Sequence, residues 1–224
     1  MDVIFKQISG GSGVDVWANN LSSGLIENGI NSSVSYFSPY YAFFPQALSL
    51  KKNSHDFYIT HSNVSYGSYF KTNNPLIVTE HHLVYDPSFS QYTSLSQKAY
   101  YKFLYRSEKK CLQVADTVTC VSKYTKQKLE EVFEYYDSKL VYNGVNTDIF
   151  NPISVDKEKY SIETDKHILF FAGNLSIRKG ADLLPHIMKE LGDDFLLLTT
   201  SGLRSNLKNR HQNIRTLGRQ IGRA

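Results

Sequence analysis

Residues 2–37, DVIFKQISGGSGVDVWANNLSSGLIENGINSSVSYF, decide the fold class. The apolar run at 3–8 is typical of a strand, and the glycine-rich segment after it indicates a loop. A helical face follows, with apolar side chains at Val14, Trp17, Leu21 and Leu25. Gly29 is suited to end that helix in a left-handed conformation, and 32–37 alternates as a second strand does. This β–α–β order predicts an α/β fold with a parallel sheet covered by helices.

The same alternation of strands and helices continues along the chain. Further strands are predicted at 57–61, 76–80, 117–121 and 140–142, and helices at 95–114 and 124–133, the second capped by Ser122. A polar stretch without a clear period separates these from a new strand–loop–helix that starts at 168, and from strands at 195–199 and 214–217. We therefore predict a complete N-terminal Rossmann-like domain at 1–152, a linker at 153–165 and an incomplete C-terminal Rossmann-like domain at 166–224.

Composition limits the classes of function. Of the 224 residues, 41% are hydrophobic and 21% are charged, which supports a packed core and excludes global disorder. The net charge of +4 is too small to indicate nucleic-acid binding. No apolar run approaches the roughly 18 residues of a membrane span, and the start lacks the pattern of a secretory signal. With two cysteines outside any CxxC motif, these features predict a cytoplasmic protein with reduced thiols.

The charge is spread unevenly along the chain. Residues 166–224 hold ten Lys and Arg against four Asp and Glu, whereas residues 1–165 hold fifteen against seventeen. An anionic ligand near the second domain would explain the basic excess. The alternative, that the compensating acids simply lie outside this stretch of chain, stays open.

The glycine-rich loop between the first strand and the first helix is a candidate ligand site. Free backbone N–H groups and a helix N-terminus favour an anion such as phosphate at Gly11, Ser12 and Gly13. The dinucleotide fingerprint is incomplete, because Val16 takes its third glycine position and the second strand ends without an acid. The loop therefore argues against NAD, and a tight turn without a ligand is the alternative.

A pair of histidines follows the strand predicted at 76–80, at the edge where open α/β sheets place ligands. His81 can donate to a sugar hydroxyl or a phosphate oxygen. His61 ends the preceding predicted strand and can line the same crevice. Adjacent side chains point in different directions, so His81 and His82 are a poor metal pair. The alternative for either is a loop histidine bonded to the backbone.

The loop at 173–180, GNLSIRKG, places two adjacent cations, Arg178 and Lys179, before a helix start. Cations and free backbone donors together suit a diphosphate. An ordinary solvated pair of charges is the alternative.

Basic residues recur every four positions along the predicted long helix, at Lys98, Lys102, Arg106 and Lys110. Such a stripe can contact anionic lipid headgroups. We favour the alternative, a solvated helix face opposite a buried aromatic one.

Two longer strings carry a family resemblance. ADTVTCVSK at 115–123 and KLVYNGVNTDIFNP at 139–152 resemble the family 4 glycosyltransferases of GT-B fold. The loop at 173–180, the glycine loop and His81 fit the same family. Each motif alone is weak, but in this order they extend over nearly the whole chain.

The resemblance implies a retaining transfer of a sugar from a nucleotide-diphosphate sugar to an acceptor such as a glycan or a lipid-linked glycan. It implies that Gly11, Ser12 and Gly13 approach the donor phosphates, that His81 contacts the transferred sugar and that Lys179 holds the diphosphate. A fixed cation stabilises the charge of the departing diphosphate, so neither a metal nor another cofactor is expected. A nucleic-acid partner is not expected, whereas peripheral contact with the inner face of the membrane is compatible with the resemblance.

Two departures from the family pattern bear on this expectation. Asn174 replaces the usual arginine, so one cation is missing unless Arg178 substitutes for it, and both residues are substrate-binding candidates. The paired glutamates that bind the donor ribose and sugar in the family would lie beyond residue 224. The alternative function is therefore a truncated, catalytically incompetent fragment that acts at most as an acceptor-binding or partner-completed module.

Overall fold

The computed structural model describes residues 2–11, 13–51, 58–85, 92–148, 150–151, 164–173, 175–200 and 211–217. Contacts divide the chain into two compact units, residues 1–144 and residues 145–224. This division falls before the predicted boundary at 152, and most of the predicted linker at 153–165 lies outside the described residues. The linker therefore stays a prediction, and the two units are described separately.

The first unit is built on a parallel sheet. Its strands are β1 (Asp2–Ile8), β2 (Ser32–Phe37), β3 (Tyr58–Asn63), β4 (Leu76–Glu80), β5 (Thr117–Cys120) and β6 (Ser138–Leu140), and its helices are α1 (Gly13–Glu27), α2 (Leu95–Val114) and α3 (Lys123–Phe133). The strand order is β2-β1-β3-β4-β5-β6, and every pairing is parallel. The predicted α/β class with a Rossmann-like parallel sheet is thus confirmed.

Local signals set the helix ends. Ser94 and Gln97 form a capping box at the start of α2, and the Ser122 hydroxyl accepts from the Thr125 N–H at the start of α3, as predicted. After α1, Gly29 adopts a left-handed φ of +77°, and the Ile30 N–H donates to the Leu25 carbonyl over 2.9 Å. This is the predicted glycine cap, which satisfies carbonyls that the helix end would leave free.

Two strand predictions were wrong by two residues at an end, for reasons of pairing. β3 continues beyond 61 because Ser62 and Asn63 pair with Val78 and Thr79 of β4. β6 ends at Leu140 rather than 142, because its partner β5 ends at Cys120, opposite Leu140. The last backbone bond of this pair joins the Val141 N–H to the Cys120 carbonyl over 2.9 Å, and residues 141–148 are exposed.

The core of the first unit lies on both halves of the sheet. Phe5 and Val3 of β1 pack against Ala18 of α1, and all three are buried. A larger cluster joins β4 and β5 to α2 and α3, with Val64, Leu76, Val78, Leu83, Cys111, Leu112, Val118, Cys120 and Leu129 as its buried members. The two clusters fix the elements whose ends carry the candidate site.

The second unit contains three described strands in a parallel sheet of order β7-β8-β9. They are β7 (His167–Phe171), β8 (Phe195–Thr199) and β9 (Ile214–Thr216), and a 3₁₀ turn (Ile177–Lys179) and helix α4 (Leu184–Leu191) connect the first two. Met188 and Leu184 of α4 are buried against Leu197 of β8. The strand–loop–helix predicted after the linker is confirmed.

Candidate functional site

The strand order places a topological switch at β1. This strand pairs with β2 on one side and with β3 on the other. The connection that leaves β1 leads to β2, and the connection that leaves β3 leads to β4, so the two run toward opposite halves of the sheet. Open α/β sheets form a ligand crevice at such a point, outside the carboxyl ends of the strands. The glycine-rich loop follows β1 and therefore lies at this crevice.

The glycine loop is shaped by two of its predicted residues. Gly11 has a φ of +57°, a left-handed conformation that glycine adopts without a steric penalty. Gly13 begins α1, and a Cβ added there would meet no atom within 4 Å, so the space above it is open. Ser12 lies outside the described residues.

An acidic side chain already binds part of this loop. The Gly10 N–H donates to Asp15 Oδ2 over 3.0 Å, and the Tyr36 hydroxyl donates to the Asp15 carbonyl over 3.2 Å. Burial and the Asp15 charge raise the pKa of Tyr36. The Asp15 carboxylate lies in the first turn of α1, where negative charge is favourable, and it occupies the Gly10 N–H, the donor directly before the predicted site residues 11–13.

His81 comes directly after β4, with its ring edge-on to the indole of Trp17 at 4.6 Å between centroids. Its Nε2 is buried and has no hydrogen-bond partner among the described residues. Burial, and secondarily the neighbouring His82, lower the pKa of His81 to about 4. At neutral pH the ring is therefore uncharged, with a nitrogen free to bond a ligand hydroxyl or phosphate oxygen.

His61 serves a different role from the one predicted. It lies within β3 rather than at its end, is only 8% exposed, and stacks on Phe5 at 4.9 Å between centroids. Its Nε2 is hydrogen-bonded to Thr79 Oγ1 over 2.8 Å, and that hydroxyl is bonded to Thr119 Oγ1 over 2.7 Å. The polar edge of His61 is thus satisfied inside the sheet, and its ring supports Trp17, which it meets edge-on at 5.1 Å.

A pair of buried carboxyls lies behind the turn that carries His81. Glu80, 3% exposed, accepts a hydrogen bond from the His82 N–H over 3.0 Å. Glu108 of α2, 4% exposed, accepts from the Ser65 hydroxyl over 2.6 Å. Burial raises the pKa of Glu108 to about 7, and burial together with the Glu108 charge raises that of Glu80. Glu80 therefore fixes the backbone after β4. Because both pKa values are raised, Glu80 and Glu108 keep their protons to a higher pH than exposed glutamates do.

In the second unit, Lys179 lies against the loop after β7. A Cβ on Gly173 would come within 2.6 Å of Lys179 Nζ, so the ammonium lies directly beside this glycine. The φ of Gly173 is +133°, and its N–H donates to Thr200 Oγ1 over 2.8 Å, which joins the ends of β7 and β8. Asn174 and the side chain of Arg178 lie outside the described residues.

The structure brings some predicted residues together and adds others. In the first unit, Trp17 links His61 to His81, although its place on an apolar helix face indicates only a core residue. Glu108 was likewise missed, because it lies in a long helix rich in charged residues and only the tertiary contact with Ser65 reveals that it is buried. In the second unit, Lys179 Nζ lies beside Gly173, a proximity that the loop motif did not predict.

Comparison with known proteins decides the family. Residues 14–149, more than half of the chain, match the family profile of Glycosyltransferase Family 4. The chain belongs to Glycosyltransferase Family 4. The resemblance stated from the sequence is confirmed, and the matched region contains α1 from Val14 onward, His61, His81 and both buried glutamates.

Two similar proteins show how far the likeness extends. The chain is 34% identical over 101 residues to "Putative glycosyltransferase YtcC" of Bacillus subtilis (strain 168), an alignment that covers 40% of this chain and 25% of that protein. A solved alpha-glucosyltransferase in complex with UDP and a 13-mer DNA containing a central A:G mismatch aligns with a TM-score of 0.49 and 12% identity, over 89% of this chain and 56% of that one. The chain thus spans about a quarter of the length of the curated relative it matches.

The described residues contain neither a candidate metal site nor a candidate membrane-spanning helix. No group of three or more His, Cys, Asp or Glu side chains in that part of the chain is arranged to hold a metal ion. Among the same residues, no helix combines the length and the apolar character that crossing a membrane requires.

Proposed function

We propose that the protein containing this chain transfers a sugar, with retention of configuration, from a nucleoside-diphosphate sugar to a hydroxyl of a glycan or lipid-linked acceptor. The observation that carries the proposal is the buried, unpartnered Nε2 of neutral His81, which packs on Trp17 of the helix that follows the glycine loop in a Glycosyltransferase Family 4 sheet. A neutral imidazole has one N–H donor and one acceptor nitrogen, so it can bond a sugar hydroxyl in either sense.

In this proposal the first unit holds the reacting sugar. Gly11 and Gly13 keep side chains away from the crevice, which lets a sugar phosphate approach the backbone. The edge-to-face contact with Trp17 fixes the ring plane of His81, and Glu80 fixes the backbone that follows it. In this proposal the Lys179 ammonium, which lies beside Gly173 in the second unit, binds a diphosphate and stabilises the negative charge that develops on it.

The cation of the second unit provides the test. In the full-length protein, Lys179→Ala is expected to weaken binding of UDP and of inorganic diphosphate by about tenfold to a hundredfold, because a charge-assisted contact is worth roughly 1.5–3 kcal/mol. Arg178→Ala is expected to lose less, since the Lys179 side chain lies across Gly173 at the end of β7. Isothermal titration calorimetry measures both.

Lys189→Ala is the matched control, because Lys189 is an exposed cation in the last turn of α4 and its removal changes the net charge equally. It should leave both affinities unchanged. A greater loss from Arg178→Ala than from Lys179→Ala would show that Arg178 replaces the arginine missing at Asn174. Equal losses from all three variants would indicate only a general electrostatic effect.

The open space at Gly13 supports a second prediction. Gly13→Leu should lower the affinity for the sugar nucleotide at least tenfold, because the new side chain enters the crevice above the loop. Gly24→Leu, at a position of α1 where a Cβ also meets nothing within 4 Å, is the control and should leave binding unchanged. Thermal unfolding should show that both variants remain folded. Unchanged binding by folded Gly13→Leu would remove the glycine loop from the proposed site.

A further inference from the structure

A cavity lies in the first unit, between the turn after β4 and the first half of α2. Its volume is about 490 Å³, within the range of sites that bind small molecules. The side chains that define it are three tyrosines and three cations, Tyr85, Tyr101, Tyr105, Lys98, Lys102 and Arg106. Neither the glycine loop nor His81 forms part of its lining.

The spacing of these residues on α2 gives the cavity two different sides. Lys98, Lys102 and Arg106 are four residues apart, so they follow one line along the helix, and all three are exposed. Tyr101 and Tyr105 are also four residues apart and form the adjacent line. The cavity therefore has an aromatic wall and a row of positive charges beside it.

The aromatic wall is held in place from behind. Tyr105 stacks on Phe133 of α3 at 4.8 Å between centroids and meets Tyr85 edge-on at 5.4 Å. Tyr85 also meets Phe133 edge-on at 5.8 Å. These contacts order the Tyr85 and Tyr105 rings before a ligand arrives, so binding does not have to immobilise those two rings.

The cations beside the wall are not neutralised within the described part of the chain. The ion pairs found there join Lys71 to Asp116 and Lys128 to Glu131, and neither involves a cation of the cavity. Three positive charges within two turns of one helix suit a group with more than one negative charge, such as a phosphate or diphosphate. The aromatic wall suits an apolar body attached to that group.

We infer that this cavity binds an apolar alcohol phosphate or diphosphate, as the anionic end of a lipid-linked acceptor. The role of this ligand as an acceptor rests on the proposed function, but its binding to the cavity does not depend on sugar transfer. A single ligand placed in this way contacts the tyrosines with its chain and the three cations with its phosphates. This gives the basic stripe of α2 a specific ligand, rather than general solvation or attraction to a membrane surface.

Geranyl diphosphate is the probe, because it is soluble and carries both parts of the ligand. Calorimetry on the full-length protein should show binding at least tenfold tighter than that of geraniol or of inorganic diphosphate. The double variant Lys98→Ala/Lys102→Ala should lose at least tenfold in affinity for geranyl diphosphate. Tyr101→Ala should lose affinity for geranyl diphosphate and keep whatever affinity it has for inorganic diphosphate.

The matched control is Lys109→Ala/Lys110→Ala, which removes two exposed cations from the same helix outside the cavity. It should leave geranyl diphosphate binding unchanged. An equal loss in the control pair, or inorganic diphosphate binding as tightly as geranyl diphosphate, would overturn the inference. So would binding to vesicles of phosphatidylglycerol without binding of geranyl diphosphate, since the stripe would then recognise a membrane surface.

The failure of this inference is distinguishable from the failure of the proposed function. If the Lys98→Ala/Lys102→Ala pair loses geranyl diphosphate but binds UDP as the parent protein does, the cavity is a separate ligand site. If UDP binding is insensitive to Lys179 while geranyl diphosphate still requires Lys98 and Lys102, the donor assignment is wrong and the cavity remains. If geranyl diphosphate fails to bind a protein that binds UDP through Lys179, the cavity assignment alone is wrong.

Discussion

Glu108→Gln is expected to gain stability relative to the parent protein as the pH rises, by about 2–3 kcal/mol between pH 5 and pH 8. In the parent, burial raises the pKa of Glu108 to about 7, so the folded protein keeps a proton that the unfolded chain releases above its ordinary value of 4.5. Stability from this group is present at low pH and is lost as the pH rises toward 7. A glutamine cannot titrate, so the variant lacks this loss.

The substitution is gentle because of the contacts of Glu108. Its Oε1 accepts from the Ser65 hydroxyl, and a glutamine carbonyl oxygen can accept in the same way. Removing the charge also relieves Glu80, whose raised pKa depends partly on Glu108. His61 and His81, with pKa values lowered to about 4, lose stability as the pH falls from 6.5, but they do so in both proteins and cancel in the difference.

Urea unfolding at several pH values measures the effect, followed by the fluorescence of Trp17, the single tryptophan of the chain. Glu27→Gln is the control, because Glu27 lies exposed at the end of α1. Its stability curve should run parallel to that of the parent across the same pH range. A parallel curve for Glu108→Gln would mean that this carboxyl titrates as an exposed glutamate does.

Gly67→Ala is expected to lower the free energy of unfolding by about 1–3 kcal/mol, because the added methyl group overfills the core. A Cβ at this position would lie 2.6 Å from Val78 Cγ1 and 2.9 Å from Cys111 Sγ. Both neighbours are fully buried, and the branched Val78 side chain on β4 has little rotameric freedom to move away. The close approach holds the segment that carries Ser65 against α2.

Gly24→Ala gives the opposite sign and serves as the control. Its Cβ meets nothing within 4 Å, and alanine in the interior of α1 should stabilise the helix by roughly 0.5–1 kcal/mol. Adding Val78→Ala to Gly67→Ala should cost less than the sum of the two single changes, since the smaller side chain removes the overlap. Additive costs in the double variant would show that the contact with Val78 is not the cause.

Much of the fold could be predicted because its signals are local. The helix caps at Ser122 and Gly29 depend on hydrogen bonds to residues within one turn, and the β–α–β opening depends on the spacing of apolar residues along 2–37. Strand ends were less predictable. β6 stops where β5 stops, and the length of a pairing partner is not written in the strand itself.

The α/β class, the family and the residue types at the candidate site, including His81, Gly13 and Lys179, follow from the amino-acid sequence. Which histidine keeps a ring nitrogen without a hydrogen-bond partner depends on the tertiary structure. His61 and His81 both stand at the end of a predicted strand in the sequence. The register of β3 and β4 brings Thr79 Oγ1 to Nε2 of His61, whereas Nε2 of His81 has no partner among the described residues. Likewise, α2 buries Glu108 and exposes Lys98, because helix packing turns one face of a charged sequence toward the core. Residues that are distant in the chain come into contact only when the protein folds. Their contacts bury side chains, and burial determines which polar groups need a hydrogen-bond partner and how far each pKa shifts.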